Sequence, residues 1–459
     1  MKAPTTERKD TSNAPPRFIS FADQAIYLAH TAGGQQAVMQ SLWHYNRPVD
    51  FQALARFRDK LARGRLARLI RPALLPFGRH QWSSAVPPSE ALKIDAEPIE
   101  PSKLMDWADA QINLPMDPVR GPAWTFTVQP LTDGSTVASL VLSHCIADGA
   151  AGVLAVSDAV TAEPLPLGDP RAPAPNPAAT LAAELMRLAQ DVPAILRALA
   201  QFIRTARTSR SLSSVRGVLP VASTLDNRTI IYPTAFVRVP LAAWDAKAKS
   251  LGTNRNTLLT SLAAAFGDAL GRVRDDQVSL LVPVNQRDGL SDIGGNRVSL
   301  ASFKVPAGQP LGQLRAFHGR LQTILLRNRR EPNPLATLLP LTPLIPKRAF
   351  AAARQLALRA LDDLPVTCSH LGVFPLPIHY IDGAQSDAVC FRGVDRQMSV
   401  HTIEERRGIA TLFAGAVPGF ISLTFVAYQP GLVTEHGHLN GLVEQLLAKF
   451  GVTAEFFGA

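Results

Sequence analysis

Cysteine is scarce in this chain. Three cysteines occur among 459 residues, Cys145, Cys368 and Cys390, with no paired spacing. So sparse and odd a set excludes a disulfide framework and fits a reducing compartment, so a cytoplasmic location is expected. Also missing is any apolar run near the ~18–20 residues that span a bilayer. Aromatic residues make up only 7% of the chain. No zinc-ligand spacing occurs, and the aromatic-basic motif of RNA-binding domains is absent. Neither a metal nor a nucleic-acid partner is therefore expected. The Gly-rich phosphate loop of nucleotide folds is absent too, and no repeat period is visible. Residues 1–16 are polar, which reads as a disordered leader and not as a signal peptide.

What is present is material for a large core. The chain is 46% hydrophobic and 18% charged, and its length exceeds that at which one core keeps growing, so two domains are expected. The 37 prolines imply many loops. The formal net charge is +10, and 37 of the 47 basic residues are arginine. Such a surface suits an anionic lipid, the phosphates of a coenzyme or an acidic carrier protein.

Periodicity divides the chain. In residues 51–61, Leu54, Phe57 and Leu61 recur at helical spacing. Residues 124–128 and 136–142 read as strands joined by the turn at 132–135. Residues 163–177 hold six prolines and end a first half at about residue 162. A helical stretch follows from 178 to about 210, with a break expected near Pro193. Its second part carries Arg197, Arg204, Arg207 and Arg210 beside Leu199, Phe202 and Ile203. It reads either as a crossover helix with its arginines in water or as a peripheral membrane contact. Residues 163–225 thus form a linker, and 226–459 a second half. That half contains strand-like segments at 229–232, 235–239, 278–282 and 420–428. Helical segments fall at 241–250, 254–270, 311–327 and 438–450.

One segment carries chemistry. Residues 143–149 read Ser-His-Cys-Ile-Ala-Asp-Gly and follow directly on the apolar strand 137–142. The pattern His-x-x-x-Asp-Gly sets the His144 imidazole at a strand end, followed by Asp148 and Gly149. That placement suits a general base positioned by the fold. Cys145 is a poor nucleophile for a dyad, because neighbours on a strand point to opposite faces.

Several fragments occur in order around this motif. They are Leu69-Ile-Arg-Pro with Gly78-Arg-His-Gln-Trp82, and Met116-Asp117 with Pro122 and Trp124. Beyond the linker come Gly252-Thr-Asn-Arg-Asn-Thr257, Val282-Pro-Val-Asn-Gln-Arg287 and Gly295-Asn-Arg-Val-Ser299. With them the chain resembles the superfamily that includes chloramphenicol acetyltransferase and the condensation domains of peptide synthetases. Within it, the bacterial wax ester synthase/diacylglycerol acyltransferase group is the most similar.

That resemblance implies a mixed α/β fold of two chloramphenicol acetyltransferase-like halves, packed as a pseudo-dimer with a central tunnel. It implies that His144 is the general base and that Asp148 pairs with an arginine to hold its loop, Arg287 being the candidate. It implies that Gly149 permits close approach and offers an amide to an oxyanion. Asn296, Ser299, Ser143 and His370 become candidates for tunnel lining or oxyanion contact, each equally readable as an ordinary turn or loop residue. The sequence also departs from the family. Ser143 stands where a first histidine is common, and residues 369–375 match the Asn-Val-Pro-Gly stretch loosely, with His370 at the Asn position. No resident cofactor is implied, only acyl-CoA as co-substrate with a lipid alcohol as acceptor. A carrier-protein thioester is an alternative donor, and a non-catalytic acyl- or partner-binding relative a third reading.

Overall fold

Eight consecutive residues, Thr136–Ser143, form the central strand of a sheet, and all eight are buried. Both faces of this strand are covered. Ala138, Leu140 and Leu142 pack with one apolar cluster, while Val137 and Val141 belong to two others on the opposite side. A strand so enclosed needs the near-continuous apolar run found here. The computed structural model describes residues 17–32, 36–84, 93–95, 97–161, 176–208, 227–308, 314–330, 336–350 and 364–457. The leader, residues 163–175 and 209–225 of the linker, and with them Arg210, lie outside the described residues.

The first block of elements holds α1 (Phe21–Ala32), β1 (Gln36–Tyr45), α2 (Phe51–Arg63), β2 (Arg68–Arg71), β3 (Gln81–Ser84) and β4 (Lys93–Ile94). It continues with α3 (Leu104–Ile112), β5 (Trp124–Pro130), β6 (Thr136–Ser143) and α4 (Gly149–Thr161). Helix α5 (Pro177–Thr208) leads to a second block. There β7 (Thr229–Ile230), β8 (Thr234–Pro240), α6 (Leu241–Ser250), α7 (Arg255–Ala269), β9 (Val273–Arg274), β10 (Gln277–Asn285) and β11 (Val298–Pro306) come first. After them run α8 (Leu314–Arg330), β12 (Val366–Val373), β13 (Ala388–Arg396), β14 (Met398–Ser399), α9 (Val400–Glu405) and β15 (Ile409–Val417). The chain closes with β16 (Phe420–Tyr428), α10 (His436–Phe450) and β17 (Glu455–Phe457).

Among the described residues, two large sheets form. The first has the order β13-β1-β6-β5-β4, and the second β11-β10-β12-β15-β16-β8-β17. Helices α2 and α4 pack on the first sheet through Leu54, Phe57, Leu61, Ala151 and Val156. The second is covered by α6, α7, α8 and α10, with Trp244, Leu262, Phe266, Phe317 and Val443 in its core. Each block thus buries the stripe its periodicity displays, at about 1.5–3 kcal/mol for each large apolar side chain.

Two features differ from the sequence reading. Residues 226–459 do not all stay in the second half, because β13 crosses over and pairs antiparallel with β1, from Gln36↔Arg396 to His44↔Ala388. Helix α5 is also unbroken, with Pro193 inside it. Pro193 is exposed, so water can satisfy the carbonyl that its missing N–H leaves free.

Candidate functional site

β6 ends at Ser143, and the chain turns at once: the Ile146 amide donates to the Ser143 carbonyl (3.1 Å). The turn is pinned on both sides. The His144 amide donates to the Ala37 carbonyl (3.0 Å), continuing the β1 ladder, and the His144 carbonyl accepts from Asn296 Nδ2 (3.0 Å). The imidazole is half-buried. Its Nδ1 is enclosed and makes no hydrogen bond among the described residues.

Asp148 serves architecture. Its Oδ1 accepts the Ala151 amide (2.9 Å) and caps α4, while its Oδ2 accepts Arg287 Nη1 (2.8 Å) and the Arg297 amide (2.9 Å). Its own amide donates to the Gly295 carbonyl (3.1 Å). The Asp148 and Arg287 side chains are 3% and 2% exposed. Arg287 Nη2 also donates to the carbonyls of Gly294 (3.2 Å) and Gly295 (3.0 Å). With both oxygens engaged and no bond to the imidazole, this carboxylate does not form a relay with His144.

The β10–β11 loop, which belongs to the second half, is held against the first half by two further arginines. Arg65 donates to the carbonyls of Asp292 (2.7 Å) and Leu290, and pairs with Asp158 at 2.6 Å. Arg68 donates to the Ile293 carbonyl (2.7 Å) beneath the Trp82 ring, 5.1 Å from its centroid. Burial pushes the Arg68 guanidinium down to about 10, against the pull of Asp23. Asp23 Oδ1 accepts the Asn296 amide (2.9 Å) and its Nδ2 (2.8 Å). A Cβ on Gly295 would lie 2.8 Å from that same oxygen, which is why glycine stands there.

The other candidates divide. Asn296 is buried and bonds to the His144 backbone and Asp23, so it positions the turn and has no free donor for an oxyanion. Ser143 is also buried, and its Oγ accepts the Cys145 amide (3.3 Å). Ser299 lies outside the cluster on β11, where it accepts from Gln286 Nε2 (2.7 Å). His370 shares a β12 face with Val366 and Cys368, which pack among the α7 core residues. Burial, with Arg255 adding, pushes it down to about 4. Burial likewise pushes the Cys145 thiol up to about 12, which leaves no thiolate for nucleophilic attack.

Sequence reasoning passed over Asp23, Arg65, Arg68 and Leu371. Leu371, from the opposite β12 face, reaches Gly149 at the start of α4: a Cβ there would come within 2.9 Å of Leu371 Cδ2. The only signal for the arginines is charge embedded in an apolar stretch just after a helix. The site therefore sits where the end of β6 and the first turn of α4 meet the second half. A cavity of about 490 Å³, lined by His379, Ser386, Cys390 and Phe420 among others, lies elsewhere. Cys390 pairs with Leu42 and Ser143 with Val38, four residues apart on β1, or about 13 Å. Among the described residues no cluster of three or more His, Cys, Asp or Glu could hold a metal.

The architecture is the condensation-domain fold, with two α/β halves packed as a pseudo-dimer. The first condensation domain of the CDA synthetase superposes with TM-score 0.60 at 14% identity, covering 96% of both chains. Polyketide synthase associated protein 5 from Mycobacterium tuberculosis gives TM-score 0.54 at 14% identity, over 95% of this chain and 98% of that one. In sequence, the chain is 25% identical over 275 residues to proteins from two Mycobacterium tuberculosis strains, provisionally described as diacylglycerol O-acyltransferases. The match covers 53% of this chain and 55% of each relative, so it spans about half the length of those relatives. No family model matches.

Proposed function

We propose that this protein is an O-acyltransferase that moves a fatty acyl group from coenzyme A to a lipid alcohol, with His144 as general base. One observation carries the reading. The His144 turn is held rigidly by Ala37 and Asn296, its Nδ1 is enclosed with no hydrogen bond among the described residues, and Asp148 is locked away on Arg287. The weak sequence similarity to acyltransferases and the condensation-type fold support the same class.

A thioester is already activated, so the protein's tasks are to deprotonate the acceptor and stabilise a tetrahedral oxyanion. His144 Nε2 takes the hydroxyl proton as the alcohol oxygen bonds to the thioester carbonyl carbon. The carbonyl electrons move onto oxygen, and the Gly149 amide in the first turn of α4 is the donor offered to that charge. Collapse breaks the carbon–sulfur bond. The thiolate then recovers the proton from His144, leaving an ester and a free thiol.

The test is thiol release from acyl-CoA in the presence of lipid alcohols. His144→Ala should lower turnover by about 10²–10⁴-fold with an unchanged thermal melt, and undiminished turnover would overturn the assignment. The condensation-domain neighbours favour one second reading, in which the donor is a carrier-protein thioester. Silence with every acyl-CoA but turnover with an acylated carrier would select it. Binding of acyl chains without transfer from either donor would mark a non-catalytic relative.

A further inference from the structure

Helix α5 is fixed to the body by a polar face, and it also packs close to the apolar 3-10 segment Ala336–Leu344. The Glu184 carboxylate is buried and accepts the amides of Leu74 and Leu75, both at 3.0 Å, and Gln81 Nε2 at 3.1 Å. Asp191, also buried, pairs with Arg79 (3.3 Å) and Arg187 (3.0 Å). Thr180 and Ala198 are buried beside them. At 3.6 residues per turn, these four positions fall within an arc of about 40°.

The aliphatic side chains point elsewhere. Leu181, Leu185, Val192, Leu196, Leu199 and Ile203 fall within a separate arc of about 60°, and all six are 39–59% exposed. An amphipathic helix on a globular body ordinarily buries its whole apolar stripe; here Leu188 and Ile195, on the side next to the body, are half-buried, and these six face outward. The stripe runs for about 33 Å along the helix. At its N-terminal end, the loop held by Glu184 adds exposed Leu74 and Phe77. On the flank away from the body, Arg197 and Arg204 are exposed.

We propose that this stripe docks the protein onto an anionic lipid bilayer, with α5 lying flat in the headgroup boundary and Arg197 and Arg204 against lipid phosphates. Charge decides the occupant. A second copy would bring the same arginines together on a chain of net charge +10, whereas an anionic surface complements them. The six exposed side chains form one continuous row along the helix, unlike the singly scattered apolar residues that need no explanation. The inference does not depend on chemistry at His144.

Flotation of the full-length chain with vesicles tests it, using phosphatidylcholine alone or with phosphatidylglycerol added. The chain should float with the anionic vesicles and bind neutral ones about tenfold more weakly. The triple variant Leu185→Glu, Leu196→Glu, Ile203→Glu should lose at least about tenfold in binding while keeping its circular dichroism and melt. Arg197→Gln with Arg204→Gln should remove most of the preference for anionic lipid. His144→Ala should float like the unmodified chain, which separates this result from the fate of the acyl-transfer reading. Failure to bind either vesicle, or undiminished binding by the triple variant, would overturn the proposal. So would a dimer in sedimentation that the triple variant converts to monomer, since the stripe would then belong to a second copy.

Discussion

Asp148 illustrates how a carboxylate four residues from an imidazole can be unavailable to it. Its two oxygens hold a helix cap, a guanidinium and a backbone amide, so its charge is spent on joining the halves. Asp148→Asn leaves Arg287 as a buried cation without its counterion. Breaking such a pair from one side costs about 3–5 kcal/mol, to be read from denaturant unfolding. A variant with normal stability but the turnover of His144→Ala would instead give Asp148 a chemical role. His144 and Asp148 were legible because their spacing is local, and Arg287 because the resemblance implied an arginine partner. Asp23, Arg65 and Arg68 were not legible. Nothing in their neighbourhoods says that they would meet a loop more than two hundred residues away.

Among the elements, α4 and β12 decide how closely the halves approach. Gly149 opens α4, and Leu371 fills the space that a side chain there would need. Gly149→Ala should cost about 1–3 kcal/mol through overpacking, and Leu371→Ala in the same chain should recover much of it. A double-mutant cycle with no coupling would show that the two positions do not meet. The strands at 124–130, 136–143 and 420–428 were readable from their apolar, β-branched runs. Continuity of α5 through Pro193 was not, because whether proline ends a helix or is carried within it depends on the packing and solvation of the preceding turn.

For the molecule as a whole, the halves are joined by a strand exchange and a clamped loop. β13 completes the first sheet, while the β10–β11 loop is held by Arg65, Arg68 and Asp148. Stability should also fall in mild acid. Burial pushes His80 down to about 4, with Lys347 adding, and His370 likewise, with Arg255 adding. Each imidazole takes a proton below about pH 6.5 when unfolded, but in the folded protein only near pH 4. Between these values the unfolded chain binds more protons, so stability drops as pH falls through the window. His436 acts in the opposite sense, its pKa raised by its hydrogen bond to Asp109, so its contribution is present below about pH 6.5 and lost as pH rises through its folded value. The net loss between pH 7 and 4 should be roughly 2–4 kcal/mol after screening. It would appear as a falling midpoint in urea titrations, and a flat profile would contradict it.

The sequence by itself determined the strand that ends just before His144, the amphipathic helices and the two-part α/β composition, because periodicity and short motifs act over a few residues. The tertiary structure alone decided that β13 belongs to the first sheet, that Asn296 holds the histidine's backbone, and that His370 faces α7. It also decided which stripe of α5 meets solvent. These outcomes rest on contacts between residues far apart in the chain, and their free energy is set by burial and pairing that no local pattern encodes. The strand-end histidine was thus visible from the start; what holds it in place was not.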